Sequence, residues 1–157
     1  MPFDMKKNKG VLLIIVLALV AAGLYWYKQG LRPDRVDFHV ENIAALTEIK
    51  ISDKKPSMVL LEKQDNGRWL VNKEYLARKG AIETLLNTMR DMRVKAHVPK
   101  TMHPKVLADM ATYGKKVELG FADGSSKVFY VGTETRNHLG TYMMMAGASE
   151  PYALHIP

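Results

Sequence analysis

The chain has 157 residues, no cysteine and a formal charge of +7. That length normally gives one modest domain, and the lack of cysteine excludes disulfides, thiolate catalysis and Cys-ligated zinc. Residues 1–35 carry +4 of the charge and the remaining 122 residues only +3, so the basic character alone does not point to nucleic acid as a partner.

Residues 1–9 form a basic tail with Lys6, Lys7 and Lys9. The following "GVLLIIVLALVAAGLYWY", Gly10–Tyr27, contains no charged residue. As a helix its 18 residues span about 27 Å, close to the hydrocarbon thickness of a bilayer. Tyr25, Trp26 and Tyr27 make an aromatic belt suited to the headgroup interface. Lysines before the span favour a cytoplasmic N-terminus, whereas Lys28, Arg32 and Arg35 beyond it weaken that bias. The competing reading is a cleaved signal peptide, for which Val20-Ala21-Ala22 offers small residues after an apolar run. Continuation of that run to Tyr27 favours a retained single-pass anchor. Lys28–Arg35 reads as a linker, broken by Gly30 and Pro33 and reaching at most about 28 Å.

Residues 36–157 are expected to form one extracytoplasmic α+β domain with a mainly antiparallel sheet. Val36–Val40 and Ala45–Asp53, the latter through Leu46, Ile49 and Ile51, alternate apolar and polar residues as half-buried strands do. Met58–Lys63 and Arg68–Val71 flank Asp65-Asn66-Gly67, a hairpin turn. Ile82, Leu85, Leu86 and Met89 then fall on one helical stripe, predicting a main helix over 79–92. Val94, Ala96 and Val98 return to period two before Pro99. His103-Pro104 starts a short second helix that closes at Tyr113-Gly114. "KKVELGF" and "KVFYVG" make another hairpin around Ala122–Ser125, and "GTYMMM" and "YALHI" make the last. About eight strands result, and the blocks on either side of residues 79–110 suggest two lobes. Most links are too short for parallel crossovers.

The run "TEIKI…VLLEKQDNGRWLVN…YLARKGAIETLLNTMRDMRV…YGKKVELGFADGSSKVFYVG…GTYMMMAG…PYALHIP" resembles a bacterial family of membrane-anchored domains of unknown function. Some members are encoded near gliding-motility-type ABC transporters in Bacteroidetes-like bacteria. The resemblance covers about Leu46–Pro157. It implies an N-terminal membrane helix, extracytoplasmic α+β modules and attachment to a transporter, motility or secretion apparatus. The family brings no catalytic residues. Many members continue beyond the position of Pro157, so the chain is expected to be a short member or a partial sequence.

Reactive constellations are not evident. "GFADGSS" lacks the Lys-Ser/Thr ending of a phosphate loop and sits in turn chemistry, and Ser125 and Ser126 have no base beside them in the pattern. No pair among His39, His97, His103, His138 and His155 has the i, i+4 spacing of a helical zinc site. Met143 and Met145 fall on one strand face and Met144 on the other with Tyr142. Copper would therefore need His155 or His138 from elsewhere. The simpler reading of Tyr142, Met143, Met144 and Met145 is a strand apolar on both faces, which is either central or an interface with a partner. By the same logic the final strand is either a sheet edge or the point where more protein follows.

Charge collects in residues 78–116, at net +6. Arg78, Lys79, Arg90, Arg93 and Lys95 are the candidate interaction patch, for anionic headgroups or an acidic protein, against the plainer reading of a solvated helix face. The expectation is a non-enzymatic accessory module with no cofactor, metal, small-molecule substrate or nucleic acid. It would be anchored in a bacterial inner membrane with its domain in the periplasm and protein partners in an envelope complex. A periplasmic ligand or copper sensor is the alternative.

Overall fold

The computed structural model describes residues 17–20, 37–54 and 57–156. Leu17–Val20 are helical and their side chains exposed. The rest of the predicted span, the belt Tyr25, Trp26 and Tyr27, the linker and Val36 lie outside the described residues. Among the described residues no helix is long and apolar enough to cross a membrane.

The domain runs β1 (Leu46–Ser52), β2 (Met58–Lys63), β3 (Trp69–Val71), β4 (Tyr75–Leu76), α1 (Lys79–Asp91), β5 (Arg93–His97), α2 (His103–Tyr113), β6 (Lys115–Phe121), β7 (Ser126–Glu134), β8 (Thr141–Met145) and β9 (Tyr152–His155). It is α+β, and every strand pair is antiparallel. The expected two lobes are one nine-stranded sheet of order β4-β3-β2-β1-β6-β7-β8-β9-β5. β1 joins the two blocks, because it pairs with β2 on one side and β6 on the other. The helices are also more alike than expected, at 13 and 11 residues.

The two faces of the sheet carry different layers. On one, Ile49, Leu61, Trp69, Leu119, Phe129, Met143 and Leu154 form the main core beneath Ile82, Met89 and Met92 from α1 and its end. On the other, Val98, Val106 and Met110 pack with Tyr130, Tyr142 and Met144, so α2 covers β7 and β8. The same face of β1, β2 and β6 is polar, with Lys50 and Lys116 on Glu118 and Lys73 on Glu62.

Three local features depart from the alternation-based expectation. The segment 37–40 alternates in burial, with Phe38 and Val40 inside, yet it is irregular backbone and not a strand. It crosses the core face as a strap. Val40 N–H donates to Met89 O at 3.0 Å, and Lys127 Nζ donates to Asp37 O at 3.1 Å and His39 O at 2.7 Å. These bonds satisfy polar backbone that no ladder takes up. Second, β4 follows a turn in which Asn72 and Lys73 both have positive φ, 51° and 64°. Asn72 supports the turn through its own amide, accepting from Leu60 N–H at 2.9 Å. Third, β9 is not a sheet edge. It lies between β8 and β5, and the edges are β4 and β5.

The Asn-Gly turn forms as its residues require. Gly67 takes φ 76°, and Gln64 N–H meets Arg68 O at 2.7 Å. Pro104 occupies the first turn of α2, where no N–H is needed. His103 donates from Nε2 to Val98 O at 2.8 Å, tying the start of that helix to the end of β5.

Candidate interaction surface

The five basic residues of the candidate patch separate into two groups. Arg78 is the N-cap of α1 and Lys79 its first residue, whereas Arg90 and Arg93 lie at its other end. Arg90 lies eleven positions along the helix from Lys79, or about 16 Å. That exceeds the Debye length of roughly 8 Å at physiological salt, so the two ends act separately on a partner.

At the C-terminal end, most of the charge is already in use. Arg90 pairs with Asp91 at 3.0 Å, and this contact holds the Asp91 carboxyl below its ordinary range and raises the Arg90 guanidinium. Arg93 Nη1 donates to Arg90 O at 2.6 Å and Met92 O at 2.8 Å, satisfying carbonyls that the helix end leaves free. Lys95 sits on edge strand β5, opposite the point where the register with β9 shifts between Val94 and Ala96. All five residues of β5 are exposed. Charges and a bulge on an outer strand discourage another strand from adding there. Arg93 and Lys95 thus have a structural reason to be where they are.

The N-terminal end is different. Ala77 N–H donates to Trp69 O at 2.8 Å, which continues the β3–β4 ladder by one rung. Arg68 and Arg78 are the chain neighbours of that bonded pair. Neither makes an ion pair among the described residues. Lys79 is 90 % exposed and reaches only Glu83, at 3.8 Å. The helix start adds to the positive character here, since Arg78 provides no side-chain cap and the first turn has no acidic residue.

Beside these cations lies a groove of 720 Å³ between the β3–β4 hairpin and α1. Trp69, Ile82 and Leu86 give it an apolar lining, and Leu76, which pairs with Leu70 on the face opposite Trp69, lies at its margin. Trp69 and Ile82 are buried, while Leu76 is 57 % and its neighbour Tyr75 62 % exposed. Arg68, Arg78 and Lys79 form a rim in which Glu83 is the acidic member. No family model, curated protein or solved structure matches this chain.

The methionine strand is interior. β8 pairs with β7 and β9, so Tyr142–Met145 have no free strand edge. Met143 is fully buried opposite Tyr152 and Val131, whereas Tyr142 and Met144 face α2. Of the two options open to a strand apolar on both faces, this one is central. His155 lies on the face of β9 opposite to Tyr152 and Leu154, the partners of the Met143 side. Met143, Met145 and His155 therefore do not converge on one ion. His138 is engaged by Glu134, with Nδ1 2.7 Å from Oε2.

One cluster escaped the spacing arguments. Asp37, His39 and Glu41 alternate along the strap, pointing away from the core, and their ligand atoms lie within 4.8 Å of one another. Asp37 contacts His39 Nδ1 directly, and Glu41 Oε1 is 3.7 Å from Nε2. The Asp37 carboxylate and His39 Nδ1 thus already engage each other. The groove also escaped those arguments, because its walls come from a two-residue strand and from the distant half of a helix. The signal available in the sequence was "ARKG" at a helix start, where capping chemistry favours Ser, Thr, Asp or Asn. Ser125 is occupied within its own turn, donating from Oγ to Asp123 Oδ1 at 2.6 Å, and this lowers the Asp123 pKa.

Proposed function

We propose that this chain is a non-catalytic accessory subunit of a larger bacterial envelope complex, anchored by a single membrane helix and holding its α+β domain in the periplasm. The observation that carries this reading is the groove beside α1, which combines apolar surface with two arginines, Arg68 and Arg78, that make no ion pair among the described residues. A soluble domain has little reason to keep that combination unless a partner covers it. The basic tail, the uncharged stretch Gly10–Tyr27 and its aromatic end support the anchor. The short linker keeps the domain within a few tens of ångströms of the bilayer, where subunits of a membrane machine are within reach. Resemblance to domains associated with gliding-motility-type ABC transporters suggests a transporter, motility or secretion apparatus.

The test is purification of the full chain at native expression from detergent-solubilised membranes, followed by mass measurement of the intact particle. The expected result is a particle of defined stoichiometry, heavier than the chain's own 17.7 kDa. Recovery of the chain alone, under mild detergents that preserve other envelope complexes, overturns the reading.

A further inference from the structure

We infer that the groove between the β3–β4 hairpin and α1 receives an acidic amphipathic helix from a partner protein. This rests on the accessory-subunit reading and names the chemistry of the partner's contact.

Three observations choose the occupant. The apolar lining of Trp69, Ile82 and Leu86, with Leu76 at the margin, asks for large aliphatic or aromatic side chains. The rim carries Arg68, Arg78 and Lys79 against Glu83, so the complementary surface is acidic. The groove is a surface feature and not an enclosed cavity. A small amphiphile or acyl chain binds well when most of its surface is enclosed, whereas a helix needs to bury only one face and keeps the other in water. An acidic helix fits this shape better than an anionic lipid does. Arg68 and Arg78 both line the groove, and guanidinium groups suit carboxylates through bidentate hydrogen bonding. Arg93 and Lys95 are not part of this surface, because the edge strand and the helix end already account for them.

The fold supplies its own reporter. The chain has two tryptophans, Trp26 and Trp69, and Trp69 lines the groove. The experiment uses the full chain carrying Trp26→Phe in phosphatidylcholine nanodiscs, so that emission reports on the groove. It is titrated with a peptide of about 16 residues, long enough to be helical, with Leu at i, i+3, i+4 and i+7 and Glu on the flanks. A second peptide has Lys in place of Glu, and a third arm replaces phosphatidylcholine with phosphatidylglycerol without peptide.

The expected result is a saturable change in Trp69 emission with the acidic peptide alone, weakened as salt rises. Arg68→Glu with Arg78→Glu should reduce affinity about tenfold or more, and Arg93→Glu should leave it unchanged. Far-ultraviolet circular dichroism of each variant checks that the sheet is intact. Equal responses to the Glu and Lys peptides, or no response to either, overturn the inference. A response to phosphatidylglycerol without one to the acidic peptide assigns the groove to lipid and overturns it too. If the Arg68/Arg78 variant still purifies in its native complex, the groove is not the contact while the accessory-subunit reading stands. If the unaltered chain purifies alone, that broader reading fails.

Discussion

The ring of Phe38 meets that of Phe129 edge-on, with centroids 6.1 Å apart and planes at 79°. Phe38 thereby joins the strap at the start of the domain to the middle of the sheet, and a second edge contact with Tyr152 at 6.2 Å fixes it from the other side. The Lys127 bonds to the strap carbonyls hold the same segment on the sheet.

Phe38→Ala is therefore expected to destabilise the domain by about 3–5 kcal/mol, the usual cost of emptying a fully buried aromatic site. Urea unfolding followed by circular dichroism measures it. A loss under about 1 kcal/mol would mean that the strap packs on a core complete without it.

Met143 and Met144 are adjacent in sequence and opposite in consequence. Met143 is wholly buried in the main core, whereas Met144 is half-buried under α2. Met143→Ala should cost about 2–5 kcal/mol and Met144→Ala clearly less. Equal losses by denaturant titration would contradict the face assignment given by the β7–β8 register.

Glu118 carries a pH dependence with a definite sign. The hydrogen bond from Lys116, then the charges of Lys116 and Lys50, lower its pKa below that of the unfolded chain. Its contribution is present above the unfolded value and disappears as pH falls through the folded one. Glu118→Gln should thus lower stability at pH 7 by no more than about 1 kcal/mol, because the pair is partly exposed, and the difference should vanish in acid. Paired urea titrations of the two proteins at pH 7 and below pH 3 check this. A difference that persists in acid would place the effect in packing.

Much of the fold is legible in the chain because it is local. Asn66-Gly67 announces its turn, and Ile82, Leu85, Leu86 and Met89 announce a helical face. The alternation through Met143–Met145 correctly separates the two sides of β8. Long-range pairing is not legible in the same way. Nothing near β1 says that both its edges are used, and nothing in Arg93–His97 says that its partner is β9 more than fifty residues on. The strap shows why alternation alone misleads. Phe38 and Val40 point inward as strand residues would, but Met89 O and Lys127 take the bonds that a neighbouring strand would have taken. β4 was hidden by Lys73, a residue seldom found at positive φ. The candidate site suffers from the same limit. Basic residues are visible in the chain, but the helix that separates Lys79 from Arg90 makes them two sites, and the groove recruits Arg68, which no charge window singled out.

The start of α1 gives the most diagnostic prediction, since stability and binding should move in opposite directions there. Arg78 occupies an N-cap position with no side-chain hydrogen bond, at the positive end of the helix. Arg78→Asp supplies a capping carboxylate, worth about 1 kcal/mol. Its favourable interaction with the helix dipole acts in the same direction. The thermal midpoint should rise by several degrees, as expected for a domain of this size. Affinity for the acidic peptide should fall at the same time, because the rim loses a positive charge and gains a negative one. A variant that is both more stable and a weaker binder identifies Arg78 as a residue kept for contact at the expense of the helix. A variant that is less stable would show instead that the guanidinium supports the hairpin in a way the distances do not reveal, and unchanged binding would remove Arg78 from the contact.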